Sequence, residues 1–145
     1  MQQSLRMARR DAASTSLRGV HVLLLCDDAE RLALFKQALE YAGALTNACV
    51  SVDDAHAVLE RLRANVVVVQ LRATGEHSRF IAALRALPPD RGGAIPALVL
   101  TGSAADADSL LAAGFQRHLT MPVHAAELCR ALAALAGLPA AWPRL

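Results

Sequence analysis

Oxygen-bearing side chains stand at the ends of several apolar runs in this chain. Asp27 and Asp28 follow Val22-Leu23-Leu24-Leu25-Cys26, Gln70 closes Val66-Val67-Val68-Val69, and Thr101 closes Ala97-Leu98-Val99-Leu100. Met121-Pro122 follows Leu119-Thr120. Two adjacent carboxylates can hold a hard cation, which prefers oxygen ligands. An ionised carboxylate can also act as a nucleophile. Gln70 offers a carbonyl oxygen without the charge, and an amide cannot form an acyl phosphate. Other chemistry is sparse. His21, His56, His77, His118 and His124 show no HxxxH or HxH spacing, so packing or surface roles are favoured over metal ligation. Cys26, Cys49 and Cys129 form no CxxC pair and are odd in number. Cys26 and Cys49 end apolar runs, where a reduced thiol packs as a small hydrophobe. No G-x-S-x-G, G-x-G-x-x-G or phosphate-loop pattern occurs.

Short apolar runs that alternate with helical patterns must position these residues. Val66–Val69 is four consecutive β-branched residues, which favour a strand over a helix. A strand apolar on both sides belongs in a sheet covered on both faces, hence a parallel one. Segments 20–26, 45–50, 95–101 and 115–120 are the other strands. Leu32, Phe35, Leu39 and Ala42 recur at helical spacing and stop at Gly43. Ala55, Val58, Leu59 and Leu62 follow Ser51, which with Asp54 resembles a capping box. Phe80, Ile81, Leu84 and Leu87 end at Pro88-Pro89; Leu110 and Leu111 follow a possible cap at Ser103; Leu128, Ala131, Leu132 and Leu135 end near Gly137. The pattern is βα five times over. It predicts an α/β fold, a doubly wound five-stranded parallel sheet between five helices, with right-handed crossovers and the flavodoxin-like order 2-1-3-4-5. Ligands of such sheets gather at the carboxyl ends of the strands, where Asp27, Asp28, Gln70, Thr101 and Met121 should meet.

In order and spacing these segments resemble the receiver domain (CheY-like) of bacterial two-component response regulators. The family pattern places an acidic pair after the first strand and a phosphate-accepting Asp at the end of the third. A Thr or Ser follows the fourth strand, and a Lys precedes a Pro after the fifth. Asp27, Asp28, Thr101 and Pro122 match it. Gln70 stands at the acceptor position and Met121 at the Lys position. His118 stands where a switch aromatic is common. The loop after the acceptor, Leu71-Arg72-Ala73-Thr74-Gly75, keeps only the glycine of the usual Pro and Gly. The resemblance therefore implies a receiver fold that has lost its phosphorylation chemistry. The run Ala113-Gly114-Phe115-Gln116-Arg117-His118-Leu119 before Met-Pro is similar to receivers attached to hybrid histidine kinases. A bland account stands beside each assignment: Asp27 and Asp28 suit helix N-caps, Thr101 an ordinary strand end, and Met121 a core filler.

Composition sets the outer limits. The chain has 145 residues, 54% of them apolar, with one Trp, one Tyr and three Phe, so its core is Leu, Val and Ala. No apolar run approaches the roughly 20 residues of a membrane span, and no secretory leader is visible, which predicts a cytoplasmic protein. Residues 1–18 read as a disordered basic tail, 19–137 as the receiver-like domain and 138–145 as a C-terminal tail. The formal net charge of +2 resides in the tail. Arg6, Arg9, Arg10 and Arg18 face only Asp11 there, leaving 11 basic and 12 acidic residues over the rest. Nucleic-acid binding by the domain is thus not expected.

The expected function is an atypical, non-enzymatic receiver acting by phosphorylation-independent protein–protein contact. No cofactor is expected, and Mg²⁺ is bound weakly at most, through Asp27 and Asp28. The expected partners are a histidine kinase or another two-component protein. A homodimer is also expected, through the face of the fourth helix, fifth strand and fifth helix, where Arg117, His118, Glu127 and Arg130 rim an Ala/Leu surface. Two placements of Arg72 stand side by side: its guanidinium folds back toward the acidic pair, or it lies in solvent. The alternative is a small-molecule-binding flavodoxin-like module. Its phosphate loop would be Ser/Thr/Gly-rich, whereas Cys26-Asp27-Asp28-Ala29-Glu30 is acidic. A hydrolase using Asp27 or Asp28 lacks DxD spacing and a nearby Lys, since Lys36 is the chain's sole lysine.

Overall fold

The strands alternate their side chains between two cores. In the computed structural model, which describes residues 15–137, β1 (His21–Cys26), β2 (Leu45–Cys49), β3 (Val66–Gln70), β4 (Ala97–Thr101) and β5 (Arg117–Thr120) form one parallel sheet. Its order is β2-β1-β3-β4-β5. Between the strands run α1 (Ala29–Tyr41), α2 (Val52–Arg61), α3 (Thr74–Arg85) and α4 (Ala107–Ala113), and α5 (Ala125–Leu135) follows β5. Short 3₁₀ turns, Pro89–Arg91 and Ala104–Asp106, precede β4 and α4. This is the doubly wound five-stranded sheet with five α-helices that the sequence pattern implied.

Successive strand residues point to opposite faces, and here both faces are apolar. Val66 and Val68 join Val22, Leu24, Leu98 and Leu100 in the core that also takes Leu39 of α1 and Leu128 and Leu132 of α5. Val67 and Val69 join Leu23, Leu25, Ala97 and Val99 in the other core, which takes Ala55 and Leu59 of α2, Phe80, Ile81 and Leu84 of α3, and Leu110 of α4. Every residue of β3 is buried, and burying a Val or Leu side chain stabilises by about 1.5–3 kcal/mol. The four-valine run is therefore fixed from both sides.

Local signals set the element ends. Asp28 caps α1 by accepting from the Glu30 and Arg31 amides, and Ser51 caps α2 by accepting from Asp54. α3 starts after Ala73 without a side-chain cap. Arg85, at its last turn, is a clamp: its guanidinium donates to the carbonyls of Gly93, Ile95 and Gly114 and to Gln116 Oε1, at 2.7 to 3.0 Å. It thereby joins α3 to the entrances of β4 and β5. Burial lowers its pKa, and an arginine stays charged regardless.

Packing begins before the expected boundary at residue 19. Leu17 is fully buried among the α1 and α5 side chains, and its amide donates to the Ala42 carbonyl at 2.7 Å. The lone Leu17 has no periodic neighbours, so nothing in the local pattern marks it as core. The remainder of the expected N-terminal tail, residues 1–14, and the expected C-terminal tail, 138–145, lie outside the described residues.

Candidate functional site

Strand register brings the residues of interest to one edge. Cys26 pairs with Gln70, so the end of β1 and the end of β3 lie side by side, and Asp27 N–H donates to the Gln70 carbonyl at 3.4 Å. Thr101 pairs with Thr120 at the ends of β4 and β5, and the Met121 amide donates to the Thr101 carbonyl at 2.7 Å. Asp27, Asp28, Gln70, Thr101 and Met121 all leave the carboxyl ends of their strands, as the topology requires.

The end of β3 is stitched to its surroundings by neutral hydrogen bonds. Gln70 is only 7% exposed. Its Oε1 accepts from the Cys26 thiol at 3.1 Å. Burial first, then the charges of Asp27 and Asp28, push the Cys26 thiol upward, against the opposing effect of its contact with the Asp28 carbonyl. Cys26 is therefore held as a thiol and donates. One residue on, the Leu71 amide donates to His77 Nε2 at 2.9 Å. That acceptor nitrogen carries no proton, so a neutral His77 bears it on Nδ1. His77 is 1% exposed and anchors the β3–α3 loop. No metal-ligand spacing marked it. Helical phase could have: Phe80, Ile81 and Leu84 stand three, four and seven residues after it on the buried face of α3.

The two acids have separate tasks. Asp28 Oδ1 is spent on the cap of α1, accepting at 3.0 and 3.3 Å. Asp27 Oδ2 accepts from the Arg72 amide at 3.0 Å, while its Oδ1 is buried without a hydrogen-bond partner. Of the two placements for Arg72 the guanidinium contact is not formed and the solvent one is: Arg72 approaches Asp27 through its backbone N–H, and its side chain is exposed. The main-chain route needs no ordering of a long side chain, which costs up to about 2 kcal/mol.

At the other side of the edge, Thr101 and His118 meet. They are diagonal neighbours across β4 and β5, since His118 pairs with Val99. Thr101 Oγ1 lies 2.6 Å from the Ser103 carbonyl oxygen and 2.6 Å from His118 Nε2. A carbonyl can only accept, so the single hydroxyl proton goes to Ser103 and the oxygen accepts from His118 Nε2–H. The pair is thereby locked. Met121 packs at the margin of the core under α1 and α5, as a flexible thioether does when filling an irregular gap. The Met121–Pro122 peptide is cis.

Could this edge hold Mg²⁺? That ion demands near-octahedral oxygen coordination and is usually bound by carboxylates with retained waters. Here Asp28 is committed to a helix cap, Gln70 is neutral and engaged, and Asp27 Oδ1 is the free buried carboxylate oxygen. Such a set fits a tightly held magnesium poorly. Among the described residues no group of three or more His, Cys, Asp or Glu could hold a metal, and no helix is long and apolar enough to cross a membrane. Cys49 and Cys129 are buried and free like Cys26, and burial pushes Cys129 up to about 11.

No family model matches the sequence. An uncharacterized 14.6 kDa protein in the sodA1 3′ region of Leptolyngbya boryana is 32% identical over 119 residues, 79% of this chain and 88% of that protein. Among solved structures, the receiver domain of a sensor histidine kinase from Pseudomonas aeruginosa, with a magnesium ion coordinated in its active-site cleft, superposes with a TM-score of 0.73. It is 24% identical and covers 82% of this chain and 98% of its own. A chemotaxis response regulator of Vibrio cholerae gives 0.70 at 21% identity, covering 80% and 98%. A response regulator receiver domain protein from Methanospirillum hungatei gives 0.71 at 21%, covering 81% and 94%. This chain has the fold of the response-regulator receiver domain and belongs to one family with the Leptolyngbya boryana protein.

Proposed function

We propose that this protein is a signalling module of the two-component type that works without receiving a phosphoryl group. The observation that carries the reading is Gln70: a buried, neutral amide engaged with Cys26 at the end of β3, where the receiver pattern has its acceptor. Met121 in place of the Lys removes the cation that would pair with phosphoryl oxygens. An amide lacks the nucleophilic oxygen of a carboxylate, so the site performs no group transfer and the protein is not an enzyme. Mg²⁺ binds weakly at most, through Asp27.

On this reading the protein acts in the cytoplasm by contact. Its partner is a histidine kinase or another two-component protein, and the face of α4, β5 and α5 is the contact surface, through which two copies also pair. Exposed Leu111 and the exposed Arg117, Glu127 and Arg130 support that choice. A ligand shifts an equilibrium only by its differential affinity for two states, so the signal must be partner occupancy. Incubation with acetyl phosphate and Mg²⁺ followed by intact-mass measurement should show no added phosphate; a base-labile adduct on any Asp would overturn the proposal. Charge reversal at Arg117 and Arg130 should abolish capture of the partner and pairing. Unchanged capture and size would remove this face.

A further inference from the structure

α2 and α3 enclose an open groove, which the proposed function does not use. One end has a volume of about 770 Å³, with Leu59, Ala83 and Leu87 as its apolar lining. Leu62 stands at its edge, 41% exposed. Arg61, Arg63 and Arg91 line this apolar patch with one acid, Glu60, and with Asp90 on the adjoining turn the local balance is still positive. The inner wall is His56, stacked on Phe80 with ring centroids 5.2 Å apart. Past His56 and Ala83 the groove continues between Asp53, Glu76 and Arg79. The excess positive charge is thus confined to one end.

That end is built rigidly. The turn after α3 carries Leu87 and Arg91 and admits only glycine at two points. Gly92 has φ +113°, and a Cβ on Gly93 would stand 1.9 Å from the Leu87 carbonyl oxygen. The Arg91 and Gly93 amides both donate to the Pro88 carbonyl. The Arg63 guanidinium donates to the Asp90 carbonyl, tying the end of α2 to this turn. A surface already ordered loses less entropy when it binds.

We propose that this end of the groove docks an acidic segment of a partner protein. The segment sets an apolar side chain between Leu59, Leu62 and Leu87 and its carboxylates against Arg61, Arg63 and Arg91. Charge decides the occupant. Guanidinium groups pair with carboxylates in a directional fork, and the apolar patch adds a side-chain requirement that a bare polyanion does not meet. The segments outside the described residues have the wrong sign: 1–14 hold Arg6, Arg9 and Arg10 against Asp11, and 138–145 hold Arg144.

The test is fluorescence anisotropy with a labelled amphipathic peptide of Leu and Glu, its leucines at helical spacing. The controls are the same peptide with Lys for Glu, a polyglutamate of equal length and a single-stranded oligonucleotide. The Leu/Glu peptide should bind, lose affinity with added salt and shift the NMR methyl signals of Leu59, Leu62 and Leu87. The Lys peptide should not bind. Leu62→Asp, and Arg61→Glu combined with Arg91→Glu, should each weaken binding by about tenfold or more. These side chains are exposed, so circular dichroism should be unchanged. Failure of the Leu/Glu peptide to bind would overturn the proposal. So would equal binding of polyglutamate or the oligonucleotide, or binding that the variants leave intact.

Discussion

Placing a carboxylate at the end of β3 should cost stability that magnesium then restores. Gln70→Asp places an ionisable group where the parent has a neutral amide only 7% exposed. Its neighbour Asp27 already holds a buried carboxylate oxygen without a partner. At roughly 5 Å and an effective dielectric of about 20, two carboxylates repel by about 3 kcal/mol. That is a large part of the roughly 5–15 kcal/mol that holds a domain folded. The new carboxyl must have a raised pKa in the folded state, whereas unfolded Asp titrates near about 3.9. The penalty is therefore absent well below that pH, grows as pH rises from the unfolded value to the folded-state value, and is constant above the latter. A cation that binds only the folded variant offsets it, by about 2.7 kcal/mol at 100 times its dissociation constant. Urea unfolding at pH 7 and pH 4, with and without MgCl₂, measures all of this against the parent. A variant as stable as its parent at pH 7 without magnesium would refute the reasoning. Equal stabilisation of both by magnesium would also refute it.

Other substitutions test the framework around the site. Arg85→Met leaves the carbonyls of Gly93, Ile95 and Gly114 without their donor; at about 1 kcal/mol each the loss is about 3 kcal/mol, and Tm in a thermal melt should fall by about 10 °C. Arg85→Lys should recover only part, since an ammonium cannot reach as many acceptors in a fixed fork. Asp28→Ala removes the cap of α1 and should lower stability by about 1 kcal/mol, with Asp28→Asn close to neutral, as read from denaturation midpoints. Thr101→Val removes the acceptor of His118 Nε2–H; ¹⁵N NMR of the imidazole should show a single tautomer in the parent and a mixture in the variant.

Much of the fold was legible because the strands carry their own proof. Val66–Val69 cannot sit comfortably in a helix, and four apolar side chains pointing alternately up and down demand cover on both faces. Strand ends were legible too, which is why Asp27, Asp28, Gln70 and Thr101 could be placed at one edge without coordinates. Contacts that depend on three-dimensional accident were not legible. Leu17 has no pattern to announce that it is buried, and α3 begins without a capping residue, so its start at Thr74 carries no signal. Arg85 reads as an ordinary charge at the end of a helix, and its four acceptors come from two separate segments, around Gly93 and Ile95 and around Gly114 and Gln116. At the site, the pairing of Cys26 with Gln70 follows from the β1–β3 register, which a single sequence does not state. The choice between the two placements of Arg72 was not legible either, because its own main-chain N–H meets Asp27 and leaves the guanidinium in solvent.

The neutral bond between Cys26 and Gln70 has a consequence for information flow. A receiver whose key position cycles between charged and modified forms stores one bit, set by a donor and erased by hydrolysis. Here the same position is held between a thiol and an amide, neither of which changes state at neutral pH. On the proposed function, nothing at that edge remembers whether a kinase fired. With partner occupancy as the signal, one variable left to the cell is the number of copies it makes. The response should scale with expression level and decay with protein turnover, over generations rather than over the lifetime of a phosphoryl bond.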